Sequence, residues 1–212
     1  MLTDILVNFS HAAVVVFGCL TALWAVSVAV KDASLIDIFW GFGFLLVGAV
    51  CLYLTPVKTN YLILLAALPI IWGARLTLYL GKRNLGHGED KRYVSMQKRA
   101  AKKGMSEMAW RVRTLFTVYA GQGLLIMIVS APVWVGMATG KAHTIWVGMV
   151  TGDGGTVANL GTEIGPLAII GAILWLIGFL FEAVGDAQLA AFLKRNKGYD
   201  GPADDKPVMD KG

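Results

Sequence analysis

Charged residues and cysteine are both scarce in this sequence of 212 residues. Only 16% of the residues are charged, against about 25% in an average soluble domain, and there are two cysteines. A disordered chain needs more charge and polarity than this, and a disulfide-stapled domain needs more cysteine. The low charge also excludes an ordinary soluble enzyme, because the surface of such an enzyme is richer in charged residues that face water.

Apolar residues make up the balance of the composition. Of the whole chain 56% is hydrophobic, and the mean hydropathy is +0.62. Apolar segments long enough to cross a hydrocarbon layer about 30 Å thick must be helical, because no water satisfies their backbone groups there. The sequence therefore predicts an all-α integral membrane protein with a single transmembrane domain over residues 1–212. Its five spans are expected at residues 5–30, 35–54, 61–80, 114–138 and 166–193.

The distribution of positive charge predicts the orientation in the membrane. Ten of the nineteen Lys and Arg residues lie in 81–113, whereas the loops near Lys58 and Lys141 hold one each. Because positive residues are retained on the cytoplasmic side, the 81–113 loop and the C-terminus are expected in the cytoplasm and the N-terminus outside. We expect a multi-pass protein of a bacterial inner membrane, whose partner is the lipid bilayer and not nucleic acid.

Neither a disulfide nor a metal centre is expected. Cys19 and Cys51 both lie inside apolar segments, far from any set of polar ligands. His11, His87 and His143 are too far apart in the sequence to indicate a shared metal site.

Ionisable residues inside the predicted spans are the first candidates for a functional site. Each costs about 2.5–3.5 kcal/mol at the centre of a bilayer, so such residues usually have a role. Glu182 and Asp186 are four residues apart and therefore share a helix face, and Arg75 shares a face with Trp72 and Tyr79. An alternative is that Arg75 pairs with Asp37 or Glu182 only to hold the bundle together. The residues are Asp37, Arg75 with Trp72 and Tyr79, and Glu182 with Asp186.

The segment 82–93 is the densest polar stretch of the chain. Arg83, Arg92 and Tyr93 could bind phosphates or a ribose, since a guanidinium group binds phosphate through two hydrogen bonds. The alternative is a solvated basic loop that touches anionic lipid, and residues 98–103 are interpreted in that way.

Read in order, these patches resemble the steroid 5-alpha-reductase-like membrane proteins, in their microbial branch of unassigned substrate. The resemblance covers roughly residues 35–212. It rests on Asp37-Ile-Phe-Trp-Gly41, the segment Trp72–Tyr79, Arg83-Asn with Gly88-Glu-Asp-Lys-Arg-Tyr93, Gln122 before Ser130-Ala-Pro-Val133, and Phe181–Phe192.

The resemblance implies an enzyme that binds NADPH from the cytoplasm and reduces a double bond conjugated to a carbonyl in an apolar, lipid- or steroid-like substrate. Two positions depart from the pattern of the steroid reductases proper. Trp72 occupies the position of a tyrosine that contacts the substrate carbonyl, and Asp37 is the nearest acid to a Gln-Glu pair of the second helix; we take both as candidate catalytic residues. If burial keeps Asp37 protonated, it could donate a hydrogen bond to the substrate carbonyl. The implied cofactor residues are Arg75, Tyr79, Arg83, Arg92, Tyr93, Glu182 and Asp186.

The similar proteins continue with an Arg-His-Pro-Asn-Tyr motif and further helices that complete the cofactor pocket. This sequence ends at Gly212, where that segment would begin, so we expect a truncated form whose activity is incomplete as given. Two alternatives stay open: an isoprenylcysteine carboxyl methyltransferase-like enzyme that uses S-adenosylmethionine, and a non-catalytic membrane scaffold or fragment.

Overall fold

The computed structural model describes residues 2–55, 58–86, 88–139 and 164–196, and within these ranges it contains helices and no strand. The helices are α1 (Leu2–Val30), α2 (Leu35–Leu54), α3 (Asn60–Asn84), α4 (Lys91–Lys102), α5 (Glu107–Val129), α6 (Ala131–Thr139) and α7 (Pro166–Arg195). Five of them, α1, α2, α3, α5 and α7, are long and apolar enough to cross a membrane. The predicted all-α membrane bundle with about five spans is therefore confirmed. His87, His143 and Gly212 lie outside the described residues.

The chain divides into two compact units, Met1–Ala168 and Ile169–Gly212. The first unit contains α1 to α6 and most of the candidate site residues. The second contains nearly all of α7, with Glu182 and Asp186.

The fourth span lies earlier in the chain than the expected 114–138. It begins at Glu107, where the Ser106 hydroxyl caps the helix by accepting a hydrogen bond from the Ala109 N–H at 3.2 Å. It ends at Val129, and a separate helix, α6, begins at Ala131. Pro132 explains the break, because proline has no N–H to continue the hydrogen-bond ladder of α5 but fits the first turn of a new helix.

The basic segment 81–113 is largely helical, although a loop was expected there. α3 continues to Asn84, and α4 follows with its Tyr93 and Ala100 buried and its lysines and arginines exposed. Gly86 and Gly88 make the turn between the two helices with φ of +82° and +77°, values that glycine tolerates far better than other residues. This turn carries the chain back towards the start of α2.

α2 and α3 pack with their backbones in contact. A Cβ on Gly41 would overlap the carbonyl oxygen of Gly73, and a Cβ on Gly73 would overlap that of Gly41. Small residues allow this close approach, which is common between helices in membranes. The contact fixes the position of α3 beside the first half of α2, where Asp37 lies.

Candidate functional site

Asp37 is the centre of a polar cluster at one end of the first unit. Its Oδ2 accepts a hydrogen bond from Arg92 Nη2 at 2.7 Å, and its Oδ1 accepts one from the Tyr93 hydroxyl at 2.9 Å. The Asp37 side chain is only 15% exposed, whereas that of Arg92 is 69% exposed. Asp37 also lies in the first turn of α2, where the helix dipole favours a negative charge.

Both carboxylate oxygens of Asp37 are acceptors in this arrangement. Arg92 and Tyr93 donate these two hydrogen bonds, and the expected role of Asp37 as a hydrogen-bond donor to a substrate carbonyl stays a prediction. Asp37 therefore orients two donors on α4.

Asp90 fixes the guanidinium group of Arg92 from the other side. Its Oδ1 caps α4 by accepting from the Arg92 backbone N–H at 2.8 Å and also accepts from Arg92 Nε at 3.0 Å. The hydrogen bond from the Arg92 side chain is the main reason why the pKa of Asp90 lies below its ordinary value, and the same bond raises the pKa of Arg92. Among the described residues Arg92 Nη1 has no hydrogen-bond partner. It can therefore donate to a bound anion while Nε and Nη2 keep their hydrogen bonds to Asp90 and Asp37.

Tyr93 is buried, with 6% of its surface exposed. Burial is the main cause that raises the pKa of Tyr93, and the negative charge of Asp37 adds to it. The hydroxyl therefore stays protonated at neutral pH and acts as a donor.

The turn between α1 and α2 is joined to the segment that precedes α4. The Ala33 N–H donates to Glu89 Oε1 at 2.9 Å, and the Asp90 N–H donates to Ser34 Oγ at 3.3 Å. The Tyr119 hydroxyl, from the middle of α5, donates to the Ala33 carbonyl at 3.2 Å. Three parts of the chain that are distant in sequence therefore meet at the start of α2.

Tyr119 and Ser34 were not among the residues predicted for the site. Tyr119 places a hydroxyl inside an apolar span, and a buried hydroxyl needs a hydrogen-bond partner. A tyrosine at this position could therefore have indicated a polar contact from the sequence alone. It lies in a π-helical segment, Leu115–Ala120, of the kind that often marks functional sites in helices. Ser34 had no comparable signal, since its role depends on the contact with Asp90.

α3 carries four of the predicted site residues on one face, because Trp72, Arg75, Tyr79 and Arg83 follow helical spacing. The ring of Trp72 packs edge-on against Phe44 of α2, with the centroids 5.1 Å apart. Arg75 and Tyr79 are half-buried, whereas Arg83 is exposed at the end of the helix. The positive charge of Arg83 contributes to the lowered pKa of Asp90, so this arginine lies close enough to act on the cluster.

Glu182 and Asp186 lie one turn apart on α7, in the second unit. The first unit brings Asp37, Arg92 and Tyr93 into direct contact.

The polar residues of the first unit include two exposed arginines, whose chemistry suits the phosphate groups of an anionic ligand. Arg83 and Arg92 are exposed cations beside the cluster, and guanidinium groups are well suited to phosphate. In the described part of the chain there is no group of three or more His, Cys, Asp or Glu residues that could hold a metal.

The fold and the cluster define a polytopic helical membrane protein with a polar site at one end of an apolar bundle. The family model described as Protein of unknown function (DUF1295) matches residues 23–212, and the chain belongs to this family. The family is of the steroid 5-alpha-reductase type. No curated protein and no solved structure matches the chain.

Proposed function

We propose that this protein is an NADPH-dependent reductase of a carbon–carbon double bond conjugated to a carbonyl in a lipid- or steroid-like substrate. The observation that carries the proposal is the Asp37–Arg92–Tyr93 cluster at the basic end of an apolar bundle. Membership of a family of the steroid 5-alpha-reductase type supports the proposed reductase activity. An apolar bundle suits a substrate that enters from lipid, and a basic end suits a nucleotide with several phosphates.

The reaction adds a hydride to the carbon β to the carbonyl and a proton to the α carbon, so negative charge develops on the carbonyl oxygen. NADPH supplies the hydride when it is bound. Arg92 Nη1 is the donor that Asp37 and Asp90 leave available, and we assign it to a phosphate of the cofactor. The Tyr93 hydroxyl donates its one hydrogen to Asp37 and so holds in place the carboxylate that orients Arg92. Trp72 is proposed as an aromatic wall of the substrate site.

We assign the remaining predicted residues to the cofactor. Arg83, with Arg75 and Tyr79 on the same face of α3, would bind phosphate or ribose. Glu182 and Asp186 would accept hydrogen bonds from the nucleotide, since carboxylates accept strongly from hydroxyl and amide donors.

Binding of NADPH to the purified protein in detergent tests this assignment. Energy transfer from tryptophan to the reduced nicotinamide reports the bound cofactor. We expect Arg83→Gln to weaken binding about five- to tenfold through the loss of one charge-assisted phosphate contact. Lys102→Gln is the matched control: it removes an exposed cation of the same basic region outside the cluster and should leave affinity unchanged. Equal affinity of both variants and the wild type would contradict the role of Arg83.

A second substitution tests the acidic face of α7. Asp186→Ala should weaken NADPH binding at least tenfold, which corresponds to about 1.4 kcal/mol. Asp4→Ala, an exposed acidic residue near the start of α1, is the control. An unchanged affinity in Asp186→Ala would remove α7 from the cofactor site.

S-adenosylmethionine, titrated in the same preparation with thermal unfolding as the readout, separates the remaining alternatives. Stabilisation by S-adenosylmethionine without any effect of NADPH would replace the reductase by the methyltransferase-like enzyme. Stabilisation by neither ligand would favour a non-catalytic membrane protein.

A further inference from the structure

A small polar cavity lies inside the first unit, between the end of α1, α4 and the start of α5. Its volume of about 10 Å³ gives room for one water molecule, and most of its surface comes from polar atoms. It shares no residue with the cluster of Asp37, Arg92 and Tyr93. The residues that line it include Ser27, Lys31, Glu89, Gln97, Trp110 and Arg111.

The carbonyl groups at the end of α1 already have donors. Lys31 takes a left-handed conformation, with φ of +60°, and the Asp32 N–H donates to the Ser27 carbonyl at 3.0 Å, which is a common way to close a helix. The Val28 carbonyl accepts from Arg111 Nη1 at 3.3 Å. These contacts fix one wall of the cavity, and the polar groups that still need a partner belong to the other walls.

Two side chains of those walls have no hydrogen-bond partner among the described residues. Trp110 is only 6% exposed, yet its indole N–H donates to no described acceptor, and the amide of Gln97 is half-buried without a described partner. Glu89 uses Oε1 to accept from the Ala33 N–H at 2.9 Å, and its Oε2 accepts from no described donor. Because buried polar groups are nearly always paired with protein or with ordered water, these groups indicate a partner in the cavity.

The charges around the cavity balance. Lys31 and Arg111 contribute two positive charges to its walls, and Glu89 contributes one negative charge. A second negative charge comes from Glu107, which forms an ion pair with Arg111. Surroundings without net charge favour a neutral occupant over an ion, and walls with both donors and acceptors favour one that donates as well as accepts. Water has both properties.

We propose that this cavity binds one ordered water molecule, which accepts a hydrogen bond from Trp110 Nε1, donates one to Glu89 Oε2 and has the Gln97 amide as its third partner. About three hydrogen bonds are typical of a buried water. Since Glu89 also accepts from the Ala33 N–H, the water joins α5 to the turn that precedes α2. The site does not depend on the proposed reductase activity.

The indole N–H of Trp110 allows the water to be detected directly by NMR. The full chain is produced with isotope-labelled tryptophan and purified in detergent, and the Trp110 indole resonance is the one that disappears in Trp110→Phe. Magnetisation transfer from water to this N–H is measured through the laboratory-frame and the rotating-frame Overhauser effects. A water molecule held in the cavity gives opposite signs in the two experiments, whereas exchange of the indole hydrogen with bulk water gives the same sign.

We expect opposite signs for Trp110. Trp134 of α6 is the internal control, because its indole N–H donates to the Met127 carbonyl at 2.9 Å and it does not line the cavity, so it should show no such transfer. Transfer of the same sign in both experiments, or no transfer to Trp110, would overturn the proposal.

Hydroxyl hydrogens also exchange with water and can relay the transfer, so the two hydroxyls of the cavity wall are removed in turn. The Ser27 hydroxyl donates to the Trp24 carbonyl at 2.8 Å. The Thr114 hydroxyl donates to the Arg111 carbonyl at 2.6 Å. Since both have partners of their own, Ser27→Ala and Thr114→Val should retain the transfer to Trp110. Its loss in either variant would assign the signal to a hydroxyl and contradict the water site.

A pair of substitutions at Glu89 tests the acceptor. Glu89→Gln keeps an amide that can pair with the water and should retain the transfer. Glu89→Leu removes the acceptor and should lower the transfer to Trp110 about fivefold, as expected for the loss of one hydrogen bond. Thermal unfolding shows whether each variant is folded, and equal transfer in two folded variants would refute the contact with Glu89.

Replacing gluconate by chloride at constant ionic strength separates water from a small anion. The Trp110 indole resonance should not change between the two salts, because chloride cannot donate a hydrogen bond to Glu89. A saturable shift of this resonance in chloride would overturn the water assignment and replace it by an anion site.

Discussion

Asp37 shows at the scale of a single residue how a charge is accommodated at the end of an apolar helix. Its carboxylate accepts from two donors on α4, one of them a residue 56 positions away, and the helix dipole of α2 adds to its stabilisation. The sequence singled out Asp37, Arg92 and Tyr93 separately, as an ionisable residue in a span and as polar residues of a loop. Their direct contact could not be predicted, because it depends on the turn at Gly86 and Gly88.

Tyr93→Phe should lower stability at neutral pH by about 1 kcal/mol, since it removes the donor to Asp37 Oδ1. The effect should depend on pH with a defined sign. The pKa of Tyr93 in the folded protein is raised above its ordinary value of 10.0, so its contribution is complete below pH 10 and declines above it, where only the unfolded chain loses the proton. The decline is about 1.4 kcal/mol per pH unit at most.

Thermal unfolding of wild type and Tyr93→Phe in detergent between pH 8 and 11 measures this difference. The advantage of the wild type should shrink as the pH rises above 10. A difference that stays constant over the whole range would show that the tyrosine hydroxyl is not held in a protonated, buried state.

At the scale of elements, the central part of each span is predictable because it is a long run of apolar residues. The residues at which each span begins and ends are harder to predict. α5 begins at Glu107, inside a charged segment, because the Ser106 cap and the packing of Trp110 stabilise helical turns that hydropathy alone assigns to a loop. α4 is short and amphipathic, and it buries Tyr93 and Ala100 only because the end of the bundle offers a surface for them.

Gly73→Ala tests the close contact between α2 and α3. The added Cβ overlaps the Gly41 carbonyl, so the helices must separate, and we expect a loss of about 1–3 kcal/mol. Gly18→Ala on α1 is the matched control: apart from the chain neighbours and the backbone of its own helix, no described atom lies within 4 Å of its Cβ position. Alanine also favours the helix, so stability should be equal or slightly higher. Unfolding in graded denaturing detergent provides both values, and equal stabilities would refute the contact.

At the scale of the whole molecule, the positive charge distribution predicts that α4 and the cluster face the cytoplasm, where NADPH is available. Lys103 and Lys58 are exposed and flank different ends of the spans, α3 lying between them. They offer a direct test of topology.

A cysteine at Lys103, in a background with Cys19→Ala and Cys51→Ala, should react with a membrane-impermeant maleimide only from the cytoplasmic side. A cysteine at Lys58 should react only from the outside. Labelling intact cells and inverted vesicles distinguishes the two sides. The opposite pattern would invert the topology and place the Asp37 cluster away from cytoplasmic NADPH.

The amino-acid sequence by itself determined that this protein is suited to a lipid environment and that its fold is helical. Both follow from local composition, since any long apolar run must satisfy its own backbone in lipid, whatever the rest of the chain does. It also singled out Asp37, Arg92 and Tyr93 as candidate site residues, and their function stays a prediction. Only the tertiary structure decided that these three meet, that Tyr119 and Glu89 hold the turn beside them, and that a polar cavity lies between α1, α4 and α5. These features depend on how far each helix is rotated and how closely Gly41 lets α3 approach, which are properties of the packed bundle.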